Sequence, residues 1–202
     1  FLSALGLLFL SALELSLVLV ILVSLGVKAE ECEVQNQWGG DPCNLPGGLA
    51  VESLPNHHSV TGEKCNSFYP KDEFKNQPTI SYSGGRKGEK YTVVMVDPDA
   101  PNHPEGKYYL HWIISNIPGD DLQDGNLKAG TVLSQYRGPT PPDGTGTHRY
   151  LLLLYRQDPT ASLTLGLPDS RRSQFDLGAW SNGLCGPLSG VQFRTNFSGK
   201  EE

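Results

Sequence analysis

The chain has 202 residues, of which 38% are hydrophobic and 19% charged, and it carries a formal net charge of −6. This length is that of one globular domain. The 23 glycines and 15 prolines exclude a helical bundle, because both residues interrupt helices, and they favour a mainly β fold with many turns. The acidic balance excludes broad electrostatic attraction to polyanions, so we expect no nucleic-acid partner.

The N-terminal segment, residues 1–29, has the composition of an export signal. Its first 26 residues are apolar or small apart from Glu14, and the most apolar stretch is 15–25. The motif Val27-Lys28-Ala29 has small residues at the two positions that signal cleavage requires, so we expect a mature N terminus at Glu30 and a secreted, extracellular protein. An uncleaved membrane anchor is the alternative, since the run is long enough to span a bilayer. Cleavage is favoured, and the processed chain is then not an integral membrane protein.

Four cysteines follow this segment, at Cys32, Cys43, Cys65 and Cys185. An even number in an exported chain predicts two disulfides, with three possible connectivities. We favour Cys32 with Cys43 and Cys65 with Cys185, because a short loop closes locally and the remaining two must then meet. Zinc ligation is the competing interpretation, but the sequence has no Cys-x-x-Cys pair.

The rest of the chain divides into an arm and a β-rich core. Residues 30–77 form an arm rich in Cys, Gly and Pro, which we interpret as loops held by disulfides. Residues 78–202 form the core, in which short β-favouring runs alternate with turn residues. The predicted strands are Thr79–Tyr82, Tyr91–Val96, Tyr109–Ile117, Thr131–Tyr136, Arg149–Arg156 and Val191–Phe197. One helix is expected, from Ser173 to Asn182.

Two of these strands are apolar without alternation, at Val93–Val96 and Leu151–Leu154. A continuous apolar run indicates cover on both faces of the strand, so both are expected at the centre of a sandwich-like fold. Near the C terminus, Asn196 begins the only glycosylation sequon and is a candidate surface acceptor.

Polar side chains stand on these strands or at their ends. Asp97 follows one central strand directly, and His111 lies inside an apolar strand. Taken singly, an Asp in a turn most often caps it and a buried His is most often a core residue. His148 and Tyr150 are more informative, because residues two apart project from the same face while Arg149 points the other way. A His and a Tyr side by side give two donors for an anion.

Motifs of cofactor-dependent enzymes are missing from the sequence. The Gly144-x-Gly146 pair lacks the third glycine of a dinucleotide fingerprint, and there is no P-loop. No Gly-x-Ser-x-Gly elbow occurs, so acyl transfer has no candidate nucleophile. We therefore expect no cofactor and no enzyme activity. A phosphoesterase that uses Asp97, His111 and His148 is the weakest alternative.

Three runs, in this order, resemble the phosphatidylethanolamine-binding protein family, also called the Raf kinase inhibitor protein family. They are Tyr91–Pro101 with its Asp-Pro-Asp-Ala-Pro block, Leu110–Gly119, and Tyr136–Tyr150 with its Gly-x-His-Arg-Tyr block. The resemblance covers roughly residues 78–197 and is strongest to the secreted animal branch. It implies a β-sandwich-like fold in which a large central sheet packs on a smaller sheet with few peripheral helices.

The resemblance also implies a small anion pocket. Carried over position by position, its residues are Asp97, Ala100, Pro101, Tyr109, His111, Pro141, His148 and Tyr150. An Asp beside two imidazoles favours their protonated forms, which then attract an anion. The expected ligand is a small anion or a phosphate-bearing headgroup such as that of phosphatidylethanolamine.

Two functions follow as hypotheses. The first is a secreted, noncatalytic binding protein that takes such a headgroup and regulates a protein partner. The alternative is a secreted inhibitor of a serine protease or carboxypeptidase, because some members of the family act in that way. An inhibitor needs an exposed segment that enters a protease, which residues 30–70 or the C-terminal end can supply.

Overall fold

The computed structural model describes residues 39–158, 163–165 and 168–201. The expected export signal and Cys32 lie outside the described residues, so cleavage after residue 29 stays a prediction. Within these ranges, no helix is long and apolar enough to cross a membrane.

The described residues form a mainly β structure with a few short helices, as the sequence predicts. The strands are β1 (Leu49–Glu52), β2 (Ser59–Val60), β3 (Ser67–Phe68), β4 (Thr79–Tyr82), β5 (Lys90–Asp97), β6 (Tyr109–Pro118), β7 (Thr131–Ser134), β8 (His148–Gln157) and β9 (Cys185–Thr195). They build a six-stranded sheet in the order β3-β9-β8-β5-β6-β7 and a three-stranded sheet in the order β2-β1-β4. The fold of one large and one smaller sheet is therefore confirmed, as are the six strands expected after residue 77.

Strands β5 and β8 lie side by side in the middle of the large sheet. Val93 and Met95 project into the core between the two sheets, together with Val51 and Ile80 of the small sheet. The alternate residues of β5 project to the other face, where Phe175 and neighbouring apolar side chains cover them. Burial on both faces explains why these strands show no alternation in sequence.

The helix expected over Ser173–Asn182 is wrong in its bounds. The structure has a 3-10 helix at Asp169–Gln174 and a separate α-helix at Leu177–Ser181. Between them, Phe175 is extended because its backbone exchanges two hydrogen bonds with Tyr108. The second helix consequently begins at Leu177, and the carboxylate of the preceding Asp176 accepts the Ala179 N–H at 2.9 Å as an N-cap.

The arm contains more regular structure than its sequence predicts. Three strands, β1, β2 and β3, fall within the described part of the arm, residues 39–77. β1 pairs with β4 over four residue pairs, and β3 pairs in parallel with β9. These pairings are long-range in sequence, so a short segment without hydrophobic periodicity gives no local signal for them.

The favoured disulfide pairing is wrong, because Cys43 is bonded to Cys65 with their Cα atoms 5.6 Å apart. Both cysteines lie against β9. The 3-10 helix Pro42–Asn44 touches Gly190, and the Sγ atom of Cys65 lies 3.4 Å from the Gln192 nitrogen. Cys185, at the start of the same strand, is also disulfide-bonded. The packing of both cysteines against β9, rather than the shortest possible loop, sets the pairing.

Replacing both Cys43 and Cys65 by alanine should lower the free energy of unfolding by roughly 3 kcal/mol. The bond closes the loop between these two residues and so restricts the unfolded chain. Urea denaturation measures the loss. Peptide mapping without reduction should show the Cys43 and Cys65 peptides joined. A peptide that joins Cys65 to Cys185 instead would contradict the structure.

Candidate functional site

Three strand ends of the large sheet meet at one place. β5 runs antiparallel to β6 on one side and to β8 on the other. In this register Asp97, at the end of β5, lies opposite Tyr109 at the start of β6. On the other side, Val96 pairs with Leu151, which places Tyr150 next to Asp97. The last residue of β5 therefore stands between the first residue of β6 and the third residue of β8.

A pocket of about 160 Å³ opens at this place. It is lined by Asp97, Ala100, Pro101, Tyr109, His111, Thr140, Pro142, His148 and Tyr150. Seven of the eight residues expected from the resemblance are among them. The eighth, Pro141, is buried and is not among the lining residues, whereas its neighbours Thr140 and Pro142 are. Adjacent prolines in a Pro-rich turn offer the sequence no means of choosing between them.

A β-bulge in β6 places His111. Met95 pairs with Trp112 and Val96 with Leu110, so one step along β5 spans two residues of β6 and His111 is the extra one. A bulge changes the direction of a side chain that would otherwise alternate. His111 thereby reaches the pocket and packs edge-on against Tyr150, with ring centroids 5.1 Å apart.

Arg172 holds this bulge in place from behind. Its side chain is buried, and one terminal nitrogen donates to the carbonyl oxygens of Leu110 and His111, both at 3.1 Å. The other terminal nitrogen donates to the Gln135 carbonyl at 3.0 Å, and Nε donates to Asp169 at 2.6 Å. Sequence reasoning missed this residue, because a Ser-Arg-Arg-Ser segment is typical of an exposed turn.

Asp97 and His148 form a buried pair in the pocket wall. The Asp97 carboxylate accepts from Nδ1 of His148 at 2.8 Å and from the Asp99 N–H at 2.7 Å. The second ring nitrogen of His148 lies 2.8 Å from the hydroxyl of Thr145, so both nitrogens have partners within the protein. Asp99 in turn accepts from the Arg149 guanidinium through both carboxylate oxygens. The Asp-x-Asp pair thus caps a turn and fixes two neighbours.

His111 has the opposite character from that expected. Its Nδ1 donates to the Arg137 carbonyl oxygen at 2.7 Å, which leaves Nε2 as the nitrogen without a proton in the neutral ring. Burial lowers the pKa of His111 to about 4, although the Arg137 carbonyl and Asp97 both favour the charged form. The expectation of two protonated imidazoles is therefore wrong for His111, because removal from water outweighs the nearby carboxylate.

Because the pKa of His111 falls from 6.5 in the unfolded chain to about 4 in the folded one, the unfolded chain binds more protons between these values. The free energy of unfolding should therefore fall as the pH drops below 6.5, by up to about 3 kcal/mol at pH 4. Urea denaturation across this range is the measurement. His111→Gln should flatten the slope between pH 6.5 and 5, and His57→Gln, at an exposed histidine, should not. Equal slopes for all three proteins would contradict the assignment.

Tyr150 brings an unused hydrogen-bond donor to the pocket. Its side chain is fully buried, and its hydroxyl proton has no acceptor among the described residues. Burial raises the pKa of Tyr150. The main-chain N–H of Thr140, which donates weakly to the phenol oxygen, lowers that pKa by a smaller amount. The phenol is consequently protonated at all ordinary pH values, and no acceptor takes its proton. Buried polar groups normally have a partner, so an orphan in a pocket wall indicates a ligand position.

At the rim, Arg137 donates to the hydroxyl of Tyr109 at 3.2 Å and pairs with Asp169 at 2.5 Å. This guanidinium is about half exposed. Among the described residues, no group of three or more His, Cys, Asp or Glu side chains has the arrangement of a metal site.

Asn196, the sequon residue, lies away from the protein surface. Its side chain is buried, its amide nitrogen donates to the Lys200 carbonyl at 2.8 Å, and its oxygen accepts from Ser198 and Gly199. A sugar on this amide has room only if the turn after β9 opens. Glycosylation at Asn196 stays a prediction, and it requires that this turn be open when the sugar is attached.

Comparison with known proteins gives the family context of this site. Residues 51–184 match the family described as phosphatidylethanolamine-binding protein (PBP). The chain is 33% identical over 161 residues to the 26 kDa secreted antigen of Toxocara canis, a match that covers 73% of this chain and 59% of that protein. The chain thus spans about 59% of the antigen's length.

Two solved structures share the fold at lower identity. The carboxypeptidase Y inhibitor, solved in complex with its cognate proteinase, has a TM-score of 0.58 and 20% identity, covering 74% of this chain and 83% of that chain. The phosphatidylethanolamine-binding protein of Plasmodium vivax has a TM-score of 0.58 and 20% identity, covering 76% and 87%.

Proposed function

Since the chain belongs to the phosphatidylethanolamine-binding protein family, we propose that it is a secreted, noncatalytic protein that binds a small phosphate-bearing group in the pocket between β5, β6 and β8. The observation that carries the proposal is the buried hydroxyl of Tyr150 in the pocket wall, whose proton has no acceptor in the described part of the chain. A donor with no acceptor costs free energy in the empty protein and repays it when a ligand oxygen arrives.

The size and the walls of the pocket support a small ligand. A volume of about 160 Å³ holds a phosphate or a short ester but not an acyl chain, because drug-sized sites begin near 300 Å³. Pro101 and Pro142 in the lining have fixed backbone φ angles, so those parts of the wall are preformed and little entropy is lost on binding.

Secretion is supported by two observations. The chain carries a disulfide between Cys43 and Cys65, a bond that persists in oxidising compartments. Its relative in Toxocara canis is described as a secreted antigen.

The test follows the imidazole NMR signals during titration with O-phosphorylethanolamine. Signals of His111 and His148 should shift and saturate, because both rings line the pocket. His57 and His58 are internal controls on the exposed turn between β1 and β2, and their signals should not move. Phosphorus NMR of the same sample should show the ester intact after prolonged incubation. Equal shifts of all four histidines, or hydrolysis of the ester, would refute the proposal.

A protease inhibitor is the second candidate, favoured by the turn between β1 and β2. Leu54 is 52% exposed there, although buried Glu73 accepts hydrogen bonds from Ser53 and Asn56 on either side of it. An exposed apolar side chain on a turn that is already ordered loses little entropy when it enters a protease. Residual activity of carboxypeptidase Y and of chymotrypsin tests this candidate. Inhibition should disappear with Leu54→Ala and persist with Val132→Ala, at an exposed apolar residue elsewhere.

A further inference from the structure

The hydrogen bonds within the pocket leave few groups for a ligand. Both oxygens of Asp97 and both ring nitrogens of His148 already have protein partners. Among the buried groups of the lining, two are left over in the described residues, because the hydroxyl proton of Tyr150 has no acceptor and Nε2 of His111 makes no hydrogen bond. The first offers a proton, and the second offers a lone pair. The complementary ligand group must therefore accept one hydrogen bond and donate another.

The acceptor role of His111 Nε2 follows from the geometry around the ring. Nδ1 must keep its proton, because its partner is a carbonyl oxygen that can only accept. The charged groups that act on the ring are Asp97 from β5, His148 from β8 and Arg172 from the 3-10 helix. Arg172 and a charged His148 both oppose protonation, and so does the burial of the ring. Nε2 therefore presents a lone pair to the pocket under ordinary conditions.

Resting on the function proposed above, we propose that the pocket selects the monoprotonated, singly charged form of a phosphate monoester, whose P–OH group donates to Nε2 of His111 and whose neighbouring oxygen accepts from Tyr150. The doubly charged form has no proton to donate, so its oxygen would meet the Nε2 lone pair. Its extra charge would also lie near Asp97. A phosphodiester has the right charge but no P–OH group.

This pairing predicts an unusual pH dependence. The second pKa of a phosphate monoester is about 6, whereas the pKa of His111 is about 4. Between pH 5 and 8 the ligand titrates while His111 stays neutral. The affinity should follow the singly charged fraction, which falls about tenfold for each pH unit above the ligand's pKa.

The experiment compares methyl phosphate with dimethyl phosphate by calorimetry from pH 5 to 8. Methyl phosphate should bind about 100-fold more weakly at pH 8 than at pH 5. Dimethyl phosphate carries one negative charge throughout and does not titrate in this range, so it reports any titration of the protein itself. It should bind more weakly than methyl phosphate at pH 5, with a flat profile. Nitrogen NMR of the complex at pH 5 should show Nε2 of His111 without a covalent proton.

The outcomes separate this inference from the function on which it rests. Binding of methyl phosphate that is as strong at pH 8 as at pH 5, parallel profiles for the two esters, or a protonated Nε2 would overturn the selectivity alone. Failure of both esters to bind at every pH would overturn the proposed function as well.

The same monoester group occurs on soluble phosphates and on phosphatidic acid. Phosphatidylcholine vesicles with and without phosphatidic acid separate these sources. Capture only by the vesicles that contain phosphatidic acid, with the pH profile of methyl phosphate, would identify a lipid source. Absence of capture, with methyl phosphate bound, would identify a soluble one.

Discussion

Arg172→Met should lower the free energy of unfolding by about 2 kcal/mol or more. The substitution removes the guanidinium that donates to the carbonyl oxygens of Leu110, His111 and Gln135. The His111 oxygen keeps the Arg137 N–H as a donor, whereas a buried acceptor that loses its donor costs roughly 1 to 3 kcal/mol. The methionine fills much of the volume of the arginine stem, so lost packing contributes little. Urea denaturation is the measurement, and pocket binding should fall in parallel because the bulge that carries His111 loses its support.

Two companion variants make this result interpretable. Arg171→Met changes the neighbouring residue, whose side chain is exposed, and should shift the stability by no more than about 0.5 kcal/mol. Arg172→Lys keeps the charge but cannot donate in three directions from a planar group, so its loss should be intermediate. It remains measurable if the methionine variant does not fold. Equal stability of the Arg171 and Arg172 variants would show that the network is dispensable.

Tyr150→Phe should weaken the binding of O-phosphorylethanolamine by about tenfold or more, since a hydrogen bond to a charged partner contributes roughly 1.5 to 3 kcal/mol. The free energy of unfolding should not fall, because no acceptor among the described residues takes the hydroxyl proton in the unliganded protein. Calorimetric titration gives the first quantity and urea denaturation the second. Opposite signs for binding and stability are typical of a group that is kept for a ligand.

Tyr155→Phe is the matched control for this prediction. Tyr155 lies on the same strand and is equally buried, and its hydroxyl, which lies near Ser181, makes no well-formed hydrogen bond among the described residues. Its side chain projects to the opposite face of the sheet, away from the pocket. Binding should be unchanged in this variant. Equal weakening by the two substitutions would mean that Tyr150 acts through the sheet and not through the ligand.

The sequence predicts the β core well because its signals there are local. Short β-favouring runs and the turns between them mark β4 to β9, and burial on both faces shows in the unbroken apolar runs of β5 and β8. The family resemblance then assigns most of the pocket lining, since Asp97, His148 and Tyr150 lie at strand ends that the motifs mark directly.

The features that the sequence does not reveal depend on contacts between distant segments. The bulge at His111 leaves no trace in an apolar strand, because its flanking residues Leu110 and Trp112 are buried on either interpretation. The disulfide depends on where β9 brings Cys43 and Cys65 together. The charge state of His111 depends on how completely the fold excludes water from the imidazole ring, and no sequence motif indicates this.

If Asn196 is glycosylated, its burial couples sugar attachment to the order of folding. The oligosaccharide must be transferred to an accessible amide, and this amide is enclosed once the turn that follows β9 has formed. β9 pairs with β8 near the middle of the large sheet, so its docking and the transfer reaction compete for the same chain. The fraction of secreted molecules that carry a glycan would then measure how long the last strand stays undocked after it enters the secretory compartment.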